Sequence, residues 1–119
     1  MSKAMSRKSR SRATARLETH APVFAALGDK TRLLLVVKLS DGRPHSISQL
    51  TRGSRLTRQA ITKHLRVLES AGVVHSARSG RESRFEFSPQ PIVGLREYLD
   101  LVSEQWDQAL GRLKAFVEK

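Results

Sequence analysis

The sequence predicts a mainly α-helical domain with one small β-hairpin, an α+β fold class. Three stretches support this prediction. An amphipathic helix spans about residues 57–71, a pair of short strands spans about residues 73–87, and a long amphipathic helix spans about residues 90–118. The whole chain has 119 residues, which is enough for one compact domain.

The composition favours a polyanionic partner and excludes several kinds of site. The 22 Lys and Arg residues outnumber the 11 acidic residues, and the resulting net charge of +11 attracts nucleic acid. The chain has no Cys, which excludes disulfides and thiolate metal sites. No apolar run approaches the roughly 18 residues that a membrane span needs, so we expect a cytoplasmic protein with no membrane partner.

A basic segment at residues 1–16 precedes the domain, which we place at residues 17–119. The segment holds six Lys or Arg residues and no acid, and it is almost devoid of apolar side chains. This composition predicts a disordered arm. The same arm can contact phosphates or enter a minor groove, and it can become ordered only on binding.

Residues 17–39 predict two helices. Gly28 ends the first helix, and Asp29 is a suitable N-cap for the second. The second helix is mostly apolar, so we expect it to be buried from several sides.

A short helix follows the turn after these two helices. Either Ser46 or Ser48 can cap it, and Ile47 and Leu50 are expected to face the core. A tight link then leads to the helix at about residues 57–71. A short helix, a tight turn and a second helix with a polar outer face form a helix-turn-helix, so the longer helix is the candidate recognition helix.

The candidate recognition helix has one apolar face and one basic face. Thr57 is a suitable N-cap that can also reach a phosphate, and Gly72 is suited to the C-terminal end. With 3.6 residues per turn, the apolar arc carries Ala60, Ile61, His64, Leu65, Val67 and Leu68. The opposite arc carries Gln59, Thr62, Lys63 and Arg66, with Arg58 at its edge. This polar face holds no acid, which suits a helix that enters the major groove of duplex DNA.

Side-chain chemistry divides the basic face into expected roles. Arg pairs with guanine and Gln with adenine through two hydrogen bonds each, and the candidates for base contacts are Arg58, Gln59, Thr62 and Lys63. Each could instead contact phosphate, the more frequent destination of protein–DNA hydrogen bonds. For Lys63 and Arg66 we expect phosphate contacts.

A β-hairpin at about residues 73–87, which we term the wing, is predicted after the recognition helix. Phe85 and Phe87 alternate with polar residues as in a half-buried strand, and Gly80 is expected to supply a positive φ in the turn. The candidates for contacts to the DNA backbone are Arg78, Arg81 and Arg84. Alternatively, Glu82 or Glu86 could pair with Arg84.

The last predicted helix begins at one of the prolines near residue 90 and carries an apolar stripe. Its members, which we term the C-terminal stripe, are Leu95, Leu99, Val102, Trp106, Leu110 and Leu113. The helix is longer than a small core needs, so we expect the stripe to pack between two subunits.

The combination of motifs resembles the ArsR/SmtB family of bacterial winged-helix repressors, over about residues 22–117. The motifs are Phe24–Arg32 (FAALGDKTR), Ile47–Leu50 (ISQL), Thr57–Leu65 (TRQAITKHL), Leu68–Val74 (LESAGVV) and Arg78–Arg81 (RSGR). Trp106 and the Thr62–Leu65 stretch are most similar to the metal-free branch of that family.

The resemblance implies a homodimer built from the first and last helices, which adds Phe24 to the expected interface. It also implies a recognition helix in the major groove and a repressor that occupies a palindromic operator, including one in its own promoter. The metal-sensing members use Cys pairs or clusters of Asp, His and Glu, whereas residues 92–119 contain no His, and on the last helix only Asp100, Glu104 and Asp107 are in reach. We therefore expect no metal site and no cofactor, and the sequence leaves the effector open.

Other classes of protein fit the sequence less well. A protein that binds RNA through stacking needs exposed aromatic residues, and most of the few aromatic residues here occupy core positions. A winged-helix protein-interaction module or a non-specific nucleic-acid-binding protein remains the alternative. Catalytic motifs are missing, since no Gly-x-Ser-x-Gly or phosphate-binding loop occurs, and we expect no enzyme activity.

Overall fold

The computed structural model describes residues 16–118, which form five helices and three short strands. Helix α1 covers residues 16–27 of this range, and α2 spans Lys30–Leu39. Strand β1 spans His45–Ser46, helix α3 Ile47–Thr51 and helix α4 Arg58–Ser70. Strands β2 (Val74–Ser79) and β3 (Glu82–Phe87) lead into α5, Gln90–Glu118. The predicted arm lies outside the described residues except for Arg16, which is already helical.

Polar side chains begin three of the helices, as the sequence predicts for Asp29 and Thr57. The carboxylate of Asp29 accepts the Arg32 amide at 3.1 Å, and the hydroxyl of Thr57 accepts the Ala60 amide at 3.1 Å. Of the two serines that could cap α3, Ser46 does so, in a capping box with Gln49. Each cap satisfies an amide that the first turn of the helix cannot pair.

The three strands form one antiparallel sheet in the order β1-β3-β2. The wing pairs from Val74 with Phe87 to Ser79 with Glu82, and Gly80 has the predicted positive φ, 65°. Strand β1, which the sequence did not indicate, adds the pair His45 with Phe85 on the other side of β3. The wing is therefore attached to the chain that leads into α3, which fixes its position relative to the helix-turn-helix.

The core lies where α4 packs against α2, α3 and the sheet. The buried face of α4 consists of Ile61, Leu65 and Leu68, and Phe85 of β3 is fully buried beside them. Leu95, which the sequence assigned to the subunit interface, belongs to the same buried cluster at 6% exposure and packs within its own chain. The first turns of α5 cover the core of their own chain, and the exposed part of the C-terminal stripe begins only after them.

Helix α2 is less buried than the sequence predicts. Leu35, Val36 and Leu39 are buried, but Leu33, Leu34 and Val37 are exposed. Only one face of α2 contacts the core, so the predicted burial from several sides does not occur within the single chain. Within residues 16–118, no helix is both long enough and apolar enough to cross a lipid bilayer.

Candidate nucleic-acid interface

The N-terminal half of α4 presents a basic face to solvent. Arg58, Gln59 and Lys63 are exposed and Thr62 is half-buried, whereas the opposite face of the helix is buried. Neither Arg58 nor Lys63 forms an ion pair with any residue in 16–118. The buried face fixes the rotation of α4 about its axis, so its uncompensated positive charge faces outward in a defined direction.

These side chains line an open cleft between α3 and α4 with a volume of about 480 Å³. Its lining residues are Ile47, Arg58, Gln59, Thr62 and Lys63. The Thr62 hydroxyl donates to the carbonyl of Arg58 at 2.7 Å. Ile47, which the sequence placed towards the core, is half-buried and also borders this cleft.

Arg66 differs from the other basic residues of α4 because it is already paired. Its Nη1 donates to Glu69 Oε1 at 2.8 Å, and its guanidinium lies over the Phe85 ring, 5.8 Å from the centroid. Glu69 Oε2 accepts the hydroxyl of Ser76 in β2 at 2.6 Å. The Ser76 and Arg66 hydrogen bonds lower the pKa of the Glu69 carboxyl. Any contact of Arg66 with phosphate would compete with the Glu69 pair.

The wing arginines are exposed but do not share one face. Arg78 lies opposite Ser83 and Arg84 lies opposite Ala77, and neighbouring positions on a strand point to opposite sides. Arg78 and Arg84 are therefore on opposite faces of the hairpin. Arg84 has no ion pair within residues 16–118, and Glu86 instead contacts His75 at 3.4 Å.

The turn of the wing approaches the start of α4. Arg81 and Arg58 border the same second cavity, of about 230 Å³, together with Ser46, Ser48 and Glu82. The structure thus brings one wing arginine and the first residue of α4 to a common surface. Sequence reasoning did not identify Ser48 as part of this surface, because its spacing indicates only a possible cap.

Most of the C-terminal stripe is uncovered in the single chain. The exposed large side chains are Leu99, Trp106, Leu110 and Leu113, and the apolar surface continues to Phe116 and Val117. Trp106 is 64% exposed, and Phe24 of α1, at 40%, is also accessible. Val102 is half-buried.

Two proteins that are similar to this chain in sequence or in structure are named as transcriptional regulators. The uncharacterized HTH-type transcriptional regulator YuzN of Bacillus subtilis (strain 168) is 40% identical over 79 residues, which are 61% of this chain and 86% of YuzN. An ArsR-like transcriptional regulator from Rhodococcus sp. RHA1 is 33% identical and superposes with a TM-score of 0.73, over 83% of this chain and 92% of that one.

A third protein is similar in fold, but its sequence identity is too low to indicate more than the fold. The homodimeric winged helix-turn-helix DNA-binding domain Mb0332 from Mycobacterium bovis, a possible ArsR-family regulator, is 20% identical with a TM-score of 0.62. The match covers 82% of this chain and 90% of that one.

Helix α4 has one buried face and one basic face. Together with the preceding α3 and the β2–β3 hairpin, it defines a winged helix-turn-helix DNA-binding domain. The model of the family described as "Bacterial regulatory protein, arsR family" matches residues 29–76. The chain belongs to the ArsR family and is a DNA-binding transcriptional regulator, a class of protein that acts by binding rather than by catalysis.

Proposed function

We propose that the protein is a dimeric repressor that binds a palindromic operator in duplex DNA, acts in the cytoplasm and does not respond to metal ions. The observation that carries this proposal is the outward face of α4, which holds Arg58 and Lys63 without a compensating acid. The rigid burial of the opposite face allows this helix to enter a major groove without losing its own packing.

Each candidate DNA-binding residue has a proposed role in that complex. Arg58, Gln59 and Thr62 contact base edges, because they surround the cleft at the start of α4. Phosphate contacts come from Lys63, which also lines the cleft, and from the residues around it, namely Thr57, Arg66, Arg78, Arg81 and Arg84. Arg81 is the wing residue best placed to act with Arg58, since both border one cavity.

The exposed stripe of α5 supports the dimer. Leu99, Trp106, Leu110 and Leu113 would form a large apolar patch on a monomer, and a two-fold interface with Val102 and Phe24 would cover it. We also propose that the domain begins at residue 17 and that the basic segment before it is a separate arm. A two-fold dimer presents two copies of α4 to half-sites about 34 Å apart, which is one turn of DNA.

The absence of metal regulation is proposed from donor chemistry. The chain lacks Cys, and each pairing of His45, His64 and His75 is with a single carboxylate at 2.9 to 3.8 Å. Zinc and nickel usually recruit several imidazoles or thiolates. A metal titration after chelator treatment should therefore leave operator affinity unchanged, and a tenfold loss with a stoichiometric metal would contradict this part of the proposal.

The test of DNA recognition is selection of bound duplexes from a randomised pool, followed by footprinting and titration. Arg58→Ala and Gln59→Ala should each weaken binding to the selected operator by about 1–3 kcal/mol and relax its sequence preference. Arg96→Ala, an exposed change on α5, is the matched control. Equal binding to all duplexes would favour a non-specific nucleic-acid-binding protein, and no binding would favour a protein-interaction module.

A further inference from the structure

The cleft between α3 and α4 is more apolar than the basic surface around it. Ile47 and the hydrocarbon parts of its other lining residues contribute most of the accessible wall. Ile47 has no polar side-chain atom, and it is the first residue of α3 and borders the cleft together with Arg58 and Gln59 of α4. A purely electrostatic site for phosphate has no need of such a surface.

Thr62 has a restricted hydrogen-bonding capacity at the same place. Its hydroxyl donates to the Arg58 carbonyl at 2.7 Å, one turn earlier in α4. The single hydroxyl proton is therefore used within the helix, and Thr62 has no donor left for the O4, O6 or N7 acceptors of a base. The other group that Thr62 carries is its methyl.

We propose that Ile47 and Thr62 form an apolar recess that receives the C5 methyl of a thymine, so that the operator requires thymine at one position in each half-site. This inference rests on the proposed function. In the major groove, thymine is the base that presents a methyl group, and apolar contact with that methyl is an established means of base readout. Removing the methyl from water supplies the discrimination.

The surroundings of the recess indicate that its occupant is DNA and not an apolar peptide. Arg58 and Lys63 flank it with positive charge that no carboxylate within residues 16–118 neutralises. The recess is also continuous with the outward face of α4, where Gln59 offers an amide to a neighbouring base. In duplex DNA, the thymine methyl would occupy the apolar recess, and Arg58 or Gln59 would hold the neighbouring base. The phosphates of the two strands would complement the positive charge around the recess.

The experiment replaces each thymine of the selected operator in turn by deoxyuridine, which lacks only the methyl. Replacing the recognised thymine of one half-site should weaken binding about fourfold, the effect expected for burial of one methyl-sized group. Substitution at the other positions should leave the affinity unchanged.

Two variants at residue 62 separate the methyl from the hydroxyl. Thr62→Ser keeps the hydroxyl and removes the methyl, so it should discriminate less between thymine and uracil at that position than the unmodified protein does, with Ile47 alone left to contact the thymine methyl. Thr62→Val keeps the methyl and removes the hydroxyl, so it should retain the discrimination. Thermal unfolding of both variants checks that the half-buried position tolerates the change.

The outcomes distinguish this inference from the function on which it rests. A protein that selects a defined operator but binds every uracil-substituted version equally well overturns the thymine recess and leaves sequence-specific binding intact. Discrimination that persists undiminished in Thr62→Ser and disappears in Thr62→Val also overturns it, since the hydroxyl would then be the reading group. Failure to select any duplex overturns the proposed function itself.

Discussion

Arg32 of α2 lies with its Nη1 3.4 Å from Nδ1 of His64 in α4. The same guanidinium donates through Nε to the Ala26 carbonyl at 2.6 Å and through Nη2 to the Ala25 carbonyl at 3.3 Å. These carbonyls lie in the last turn of α1, where the regular helical hydrogen bonds end, and the Ala25 carbonyl also accepts the Gly28 amide at 3.2 Å. One side chain thus connects the end of α1, the start of α2 and the inner side of the helix that we assign to DNA recognition.

Arg32→Lys should destabilise the folded protein by about 1–2 kcal/mol, because an ammonium cannot replace the three-way contact of the planar guanidinium. Urea denaturation measures the change as a lower midpoint. Arg112→Lys, at an exposed position of α5, makes the same chemical change without these contacts and should leave the midpoint unaltered. Identical midpoints for Arg32→Lys and the unmodified protein would show that the contacts contribute nothing to stability.

The features predicted correctly from the sequence depend on neighbouring residues. Thr57 and Asp29 cap helices because a short polar side chain can reach an amide three residues ahead. Gly72 and Gly80 adopt positive φ because the end of a helix and a tight turn require it. The fold class was predictable because these local features occur in an order that only a few architectures can satisfy.

The features that the sequence did not predict depend on contacts distant in the chain. Strand β1 has two residues and exists through its pairing with β3, forty positions later, so no alternation in the sequence reveals it. The contact of Arg32 with His64 spans 32 residues and has no sequence pattern. Leu95 continues the spacing of the C-terminal stripe, and only the packing of the first turns of α5 shows that it is buried within its own chain.

Glu69→Gln should lower stability near neutral pH by about 0.5–1 kcal/mol and have less effect in acid. Hydrogen bonds from Ser76 and Arg66 lower the pKa of the Glu69 carboxyl below its ordinary value of 4.5. A lowered pKa in the folded state gives stability that is present above the ordinary pKa and is lost as the pH falls through the folded value.

The measurement for Glu69 is urea denaturation of both proteins across a series of pH values from 7 to about 3. The difference between them should be largest at the neutral end and should shrink below pH 4.5. Glu104→Gln, an exposed change on α5 outside every ion pair of residues 16–118, serves as the control. A difference that stays constant with pH would mean that the charge of Glu69 is irrelevant to its contacts.

Trp106→Asp should weaken both self-association and operator binding, because it places a charge in the middle of the exposed stripe of α5. Sedimentation at micromolar concentration reports association, and an operator titration reports the loss of the second recognition helix. Gln108→Asp adds the same charge about 200° around the helix axis, at an exposed position, and should have little effect. A monomeric unmodified protein under these conditions would contradict the proposed dimer.

Deletion of residues 2–15 should reduce the salt dependence of operator binding while preserving the preferred sequence. The deleted residues carry five positive charges and no acid, and each phosphate that such a charge neutralises releases condensed counterions. The slope of log affinity against log salt concentration should therefore become less steep by up to about 4.5 per arm. A variant of unchanged length separates the effect of charge from the effect of length. It carries Gln at each of the five charged positions, Lys3, Arg7, Lys8, Arg10 and Arg12. If both the deletion and this variant keep the original slope, the arm does not contact DNA in the complex, and the recognition surface is confined to α4 and the wing.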